Sequence, residues 1–209
     1  MIKKFIKSYA KINLSLKVLG KKKNKLHKIQ SIISFLDFYD KIYIKSSNNT
    51  KHKIEFDGPF SKNIKVNTIS KLLNILEKKN LLKKKYIIKI KKNIPQQAGL
   101  GGGSMNAATV LNYFLKNKLF NLSKKKIFNI CNQIGSDVFL GLHRKNLILI
   151  ENSTIKKYNT KIGLFTVLIK PKFGCSTKEI FNRVKNFSKT KTKISSKLFK
   201  IESLKNAQN

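Results

Sequence analysis

Tryptophan is absent from the 209 residues, proline occurs 3 times, and arginine occurs only as Arg144 and Arg183. The 2 cysteines, Cys131 and Cys175, stand far apart without metal-type spacing, so neither a disulfide framework nor a cysteine zinc site is expected. Cys131 falls in an apolar helical stretch, residues 127–134, and is expected in the core. His27, His52 and His143 are isolated from one another, and no metal site is expected. No run of about 18 apolar residues occurs, which excludes a membrane-spanning helix. Met1-Ile2-Lys3-Lys4-Phe5 carries no apolar signal region, so the expected location is the cytoplasm.

Acidic residues are the scarcest charged class: 9 against 46 Lys and Arg, a formal net charge of +37. Such a balance invites a nucleic-acid reading. The make-up of the charge argues against a specific one. Nearly all of it is lysine, spread along the whole chain, whereas base recognition relies on the bidentate arginine fork. Abundant Asn, Ile and Phe accompany the lysines, a set favoured by AT-rich coding. The same charge would draw anionic small molecules, more strongly at low salt. Because carboxylates are few, each is a candidate for a role. Asp37 and Asp40, flanking Phe38-Tyr39, read as turn or capping residues.

Hydrophobic residues make up 41%, enough for a packed core. Alternation predicts strands over 6–19, 29–38, 41–45, 52–56, 85–91, 147–150 and 164–169. The pair 41–45 and 52–56 reads as two strands joined across Ser46-Ser47-Asn48-Asn49. Helices are predicted from Asn67 or Thr68, with Ile69, Leu72, Leu73, Ile75 and Leu76 inward; from about Ser104 to Lys116; from an N-cap at Ser123 to Ile134; and over 177–187. The irregular alternation points to an α+β fold. Internal repeats are absent.

The most informative stretch is Ile94-Pro95-Gln96-Gln97-Ala98-Gly99-Leu100-Gly101-Gly102-Gly103-Ser104-Met105-Asn106-Ala107-Ala108. Its glycines lie between a predicted strand and a predicted helix. Glycines let backbone approach an anion and take positive φ, and the N–H groups of the following helical turn favour negative charge. No lysine precedes Ser104, so the loop is not the usual P-loop.

Pro-x-x-x-Gly-Leu-Gly-Gly-Gly-Ser-x-x-Ala-Ala resembles the phosphate-binding motif of the GHMP kinases. Within them, the triple glycine, Gln96-Gln97-Ala98 and Asn106 are most similar to the branch that phosphorylates a cytidine-diphosphate-linked methylerythritol in non-mevalonate isoprenoid biosynthesis. The resemblance implies a two-lobed fold: an N-terminal domain like the second domain of ribosomal S5, placed at 1–155, and a ferredoxin-like C-terminal domain, shortened here, at 156–209. It implies ATP with Mg²⁺, whose phosphates would lie on Pro95, Gly99, Leu100, Gly101, Gly102, Gly103 and Ser104, with Asn67 near the adenine; Asn67-Thr68 reads equally as a helix cap.

The same resemblance covers Tyr9-Ala10-Lys11-Ile12-Asn13-Leu14, the family's opening motif. It implies that Lys11 stabilises the phosphoryl in transfer and that Asn13 positions the alcohol. In Gly135-Ser136-Asp137-Val138 the implied catalytic base is Asp137, although Ser136 and Phe139 replace the family's alanine and proline; by pattern alone it reads equally as a turn aspartate in a loop entering a β-like segment. His27 matches the residue that hydrogen-bonds cytosine, Phe181 the aromatic on the ring's other face, and Thr177 a hydroxyl near the substrate. Leu26 stands where the family has tyrosine. The family's third glycine-rich motif has no counterpart, since no glycine follows Gly174. That leaves open a competent kinase, another small-molecule GHMP kinase, a nucleotide-binding relic without transfer activity, and a lysine-rich nucleic-acid binder. Oligomeric state is not set by the sequence.

Overall fold

A computed structural model describes residues 5–21, 27–64, 67–150, 154–157, 163, 165–171 and 177–188. Its elements are β1 (Ile6–Lys21), β2 (His27–Ser47), β3 (Lys53–Asp57), α1 (Thr68–Lys78), β4 (Lys85–Lys91), α2 (Gly102–Lys116), α3 (Lys124–Ile134), α4 (Val138–Gly141), β5 (Leu147–Ile150), β6 (Thr154–Lys157) and α5 (Thr177–Asn182). The strands hydrogen-bond in the order β3-β4-β2-β5-β6, with β1 also paired to β2. This is the mixed helix-and-sheet architecture expected. The chain forms two compact units. The first is Met1–Ala10, Leu36–Gln96 and Leu100–Arg144; the second is Lys11–Phe35, Gln97–Gly99 and Lys145–Asn209.

In the first unit, β4 alternates strictly. Tyr86, Ile88 and Ile90 are buried while Lys89 and Lys91 are exposed. This period of two commits one face of the strand to the core. Beneath it lie Ile69, Leu72, Leu73 and Leu76 of α1, Val110, Leu111 and Phe114 of α2, and Ile130, Cys131 and Ile134 of α3. Burying each large side chain contributes about 1.5–3 kcal/mol. Burial also pushes the Cys131 thiol up to about 12, so it is an inert core residue. Asn67 caps α1 by accepting the Ile69 and Ser70 N–H groups, both at 3.1 Å, and Ser123 caps α3 through the Lys126 N–H.

Five expectations are corrected. The strands expected at 29–38 and 41–45 are one strand, β2. β3 does not pair with β2: β4 inserts between them, parallel to β3 from Lys53↔Ile87 to Asp57↔Lys91 and antiparallel to β2 from Lys41↔Lys91 to Ser47↔Lys85. β3, α1 and β4 thus form a β-α-β unit, since two parallel strands need a crossover between them and α1 supplies it. The segment after Asp137 is the helical turn α4, not β; Val138 N–H bonds Gly135 O at 3.1 Å, and Gly141 packs so closely that a Cβ there would fall 2.7 Å from Ala108 Cβ. Asp40 is wholly buried rather than a turn residue. Of the strand expected at 164–169, residues 165–169 form none, having no ladder partner among the described residues, and residue 164 lies outside them.

In the second unit, β2 pairs antiparallel with β5 from Gln30↔Ile150 to Ile33↔Leu147, and β5 pairs with β6. α5 begins at Thr177 and is shorter than the helix expected to reach 187. Leu26 and most of the expected domain 156–209 lie outside the described residues, as does the Thr177 side chain.

Candidate nucleotide and substrate sites

β4 leads directly into the glycine stretch. At its end Asp40 Oδ1 accepts the N–H groups of Asn93 and Ile94, each at 2.8 Å, while Oδ2 pairs with the Lys92 ammonium. Asn93 donates to Tyr39 O at 2.9 Å. Past Pro95, the Gln96 amide donates to Phe60 O at 3.1 Å and Lys62 O at 2.8 Å. The backbone then turns through positive φ at Gln97 (53°), Gly99 (72°) and Gly101 (67°). Left-handed backbone favours glycine at the last two, and Gln97 bears the strain of a side chain there.

Gly101 occupies the N-cap of α2 with no side chain to cap it, and the first turn carries no acidic residue. The first N–H groups of a helix have no partner inside it, so Gly102, Gly103 and Ser104 present uncapped donors at the positive end of the helix dipole. Thr68, at the start of α1, donates its hydroxyl to Gly103 O at 2.7 Å and so ties α1 to this turn. A cradle of main-chain donors opened by glycines suits phosphate oxygens.

The turn carrying Asp137 adjoins this helix start. A Cβ on Gly135 would stand 3.5 Å from Ser104 Oγ. Asp137 is half-buried at the head of α4, and its side chain makes no capping hydrogen bond there. The first unit therefore brings together Asn67-Thr68, Gly101 to Ser104 and the Gly135-Ser136-Asp137 turn.

In the second unit, β1 and β2 carry a relay of side chains. Lys11 Nζ donates to Asn13 Oδ1 at 2.7 Å, Asn13 Nδ2 donates to Ser31 Oγ at 2.6 Å, and Ser31 Oγ donates to Ser15 O at 2.7 Å. The ammonium accepts nothing, so it sets which end of the Asn13 amide faces it. Lys11 is 8% exposed, and Ser31 is fully buried. Lys11 and Asp137 fall in different units.

His27 and Phe181 also meet, their rings stacked at 5.2 Å and 27° apart, with Phe187 tilted against His27 at 6.4 Å. Ser188 N–H donates to Val18 O at 2.8 Å and anchors the segment bearing Phe187. Sequence reading missed Ser31, Phe187 and the buried Asp40. The sole available signal for Asp40 was its rarity as a carboxylate.

Residues 67–144 match the family model described as the GHMP kinases N terminal domain. The chain resembles, at a TM-score of 0.58 and 22% identity, the crystal structure of 4-(cytidine 5'-diphospho)-2C-methyl-D-erythritol kinase, over 74% of this chain and 55% of that one. A homoserine kinase from Cytophaga hutchinsonii matches at a TM-score of 0.54 and 16% identity, over 90% and 62%. The family match assigns residues 67–144 to the GHMP kinase class, and the structural likeness shows the shared fold. The relatives narrow it. Over 207 residues the chain is 54% identical to 4-diphosphocytidyl-2-C-methyl-D-erythritol kinase of Pelagibacter ubique (strain HTCC1062), covering 98% of this chain and 73% of that one. It is 34% identical over 186 residues to the kinase of the same name from Clostridium perfringens (strain 13 / Type A), covering 86% and 62%. The chain belongs to the 4-diphosphocytidyl-2-C-methyl-D-erythritol kinase family of the GHMP kinases, and spans less than two thirds of the Clostridium relative's length.

Proposed function

We propose that the protein transfers the γ-phosphoryl group of ATP to the 2-hydroxyl of 4-diphosphocytidyl-2-C-methyl-D-erythritol, a step of non-mevalonate isoprenoid biosynthesis in the cytoplasm. The observation that carries this reading is the uncapped, glycine-opened start of α2, with Ser104 beside the turn that bears Asp137. Phosphoryl transfer requires little covalent chemistry of a protein; positioning and charge stabilisation do most of the work.

In this reading Gly99 to Ser104, entered from Pro95, hold the nucleotide phosphates by main-chain N–H groups, and Asn67 and Thr68 border the adenine. Asp137 removes the proton of the substrate hydroxyl. The Lys11 ammonium offsets charge developing on the transferred group. Asn13, locked between Lys11 and Ser31, orients the alcohol. His27 donates or accepts at the cytosine edge, Phe181 covers its face, and Thr177 borders the same substrate.

Mg²⁺ fits as a partner of the nucleotide. No group of three His, Cys, Asp or Glu side chains suited to a metal occurs among the described residues. Mg²⁺ is typically held through one or two carboxylates and the substrate's own phosphates, and the Ser104 hydroxyl at the start of α2 would border it there. Bound there, it would neutralise phosphate charge.

The test is ADP formation by purified protein with and without the cytidine-diphospho substrate and Mg²⁺. Substrate-dependent ADP formation, lost in Lys11→Ala, is the expected result. Folded, ATP-binding protein that turns over nothing would reduce the assignment to nucleotide binding. Turnover of a different alcohol in a substrate panel would move it to another GHMP kinase.

A further inference from the structure

The carboxylate of Asp40 has no place in the chemistry above, yet it is the most deeply buried acidic group described, at 0% exposure. Burying an ionised carboxylate is costly unless it is paired and hydrogen-bonded. Asp40 meets both conditions, and every partner lies on one short segment: the Lys92 ammonium and the consecutive N–H groups of Asn93 and Ile94. Two successive main-chain donors converging on one oxygen set the direction in which the chain leaves β4.

That direction is transmitted to the glycine loop. The Ile94 side chain is fully buried against Gly102, where an added Cβ would fall 3.0 Å from Ile94 Cγ2. The same Cβ would fall 3.3 Å from Lys92 Nζ, so the ion pair lies directly behind the first residue of α2. An ammonium at a helix N-terminus opposes the helix dipole, and the Asp40 carboxylate offsets it. Asp40 thus touches both supports of Gly102: Ile94 through its N–H, and Lys92 through its charge.

We infer that Asp40 is a positioning residue for nucleotide binding: it tethers Ile94 and neutralises Lys92, and through them it sets where the first donors of α2 stand. The inference rests on the reading that this loop holds the phosphates of ATP. Because it concerns the nucleotide half alone, it separates the KM for ATP from kcat and from the KM for the alcohol.

Two charge-balanced double variants isolate the tether. Asp40→Asn with Lys92→Met keeps an oxygen to accept the two N–H groups; Asp40→Ala with Lys92→Met removes it. The expected result is an ATP KM about tenfold higher in the alanine double than in the asparagine double, with kcat and the alcohol KM alike in both. Equal ATP KM values in two folded proteins would overturn the inference, as would a difference confined to melting temperature. Should the alanine double not fold, Ile94→Ala leaves Asp40 in place and removes only the contact to Gly102. A raised ATP KM at unchanged kcat supports the inference, and an unchanged one overturns it. Wild-type protein is measured first. Failure to saturate with ATP overturns the nucleotide reading and the inference together, whereas saturation by wild type with indistinguishable variants overturns the inference alone.

Discussion

The start of α2 and the β1–β2 relay are built from opposite materials. At α2 the donors are main-chain N–H groups, and side chains act from behind: Asp40, Ile94 and Thr68 hold the backbone in place. In the relay the main chain is an ordinary ladder, and the polar groups are the side chains of Lys11, Asn13 and Ser31, each fixed by the next. A phosphate spreads its charge over several oxygens and is met well by many weak, fixed dipoles. A single hydroxyl needs one or two groups aimed at one atom. The comparison teaches that substitutions should act differently in the two places: through backbone path at the loop, through lost functional groups at the relay and at Asp137.

The largest effect should come from the functional-group side. Asp137→Asn is expected to lower kcat by about 10²- to 10⁴-fold while leaving ATP affinity near wild type. Steady-state kinetics with a nucleotide titration check it, and unchanged turnover would remove Asp137 from the mechanism. Next comes the backbone side. Gly102→Val must displace Ile94 or the start of the helix, and should raise the KM for ATP by about 10- to 100-fold with a smaller change in the alcohol KM. An equal rise in both constants would break the separation between the two regions.

Ser31→Ala is a milder probe of the relay. It removes the acceptor of the Asn13 amide, worth about 1 kcal/mol, and should worsen kcat/KM for the alcohol by about fivefold with ATP KM unchanged. A shift in ATP KM instead would place the relay on the nucleotide side.

The smallest effect lies away from both. His52 is half-buried between Tyr86, whose N–H it accepts at 2.9 Å, and Glu77, 3.2 Å away. Burial lowers its imidazole below the ordinary 6.5, with Glu77 opposing and Lys85 adding to the shift. A histidine whose folded value is lowered binds its proton more readily when unfolded. Stability is therefore fully present above about pH 6.5 and declines as pH falls toward the folded value. Glu77 is also lowered, through its hydrogen bond to Lys85, and adds acid sensitivity below 4.5. Melting temperatures between about pH 8 and pH 5 should fall on the acid side, less steeply in His52→Gln. An identical slope in the variant would discard this account.

The loop was legible in the sequence because glycine spacing is a local statement about backbone. Gly99 and Gly101 do take positive φ, and α2 does begin among the glycines, two residues before the expected start. Caps at Asn67 and Ser123 were legible for the same reason, since a cap involves residues two or three apart. The strand order was not. Nothing local to 41–45 and 52–56 tells that β4, some thirty residues later, inserts between them. Asp40 read as a turn residue because its partners at 92–94 are more than fifty positions away.

What the chain determined by itself is the set of short-range features. These are the alternation of β4, the apolar stripe of α1, the glycine path into α2 and the resemblance carried by Lys11, Asn13, His27 and Asp137. Tertiary structure alone decided which of these meet. It placed Thr68 on Gly103, Gly135 beside Ser104, Ser31 under Asn13 and Phe181 against His27. The physical reason is range. Backbone conformation responds to neighbours a few residues away, whereas burial and hydrogen-bond satisfaction are settled among groups that only the folded chain brings within a few ångströms.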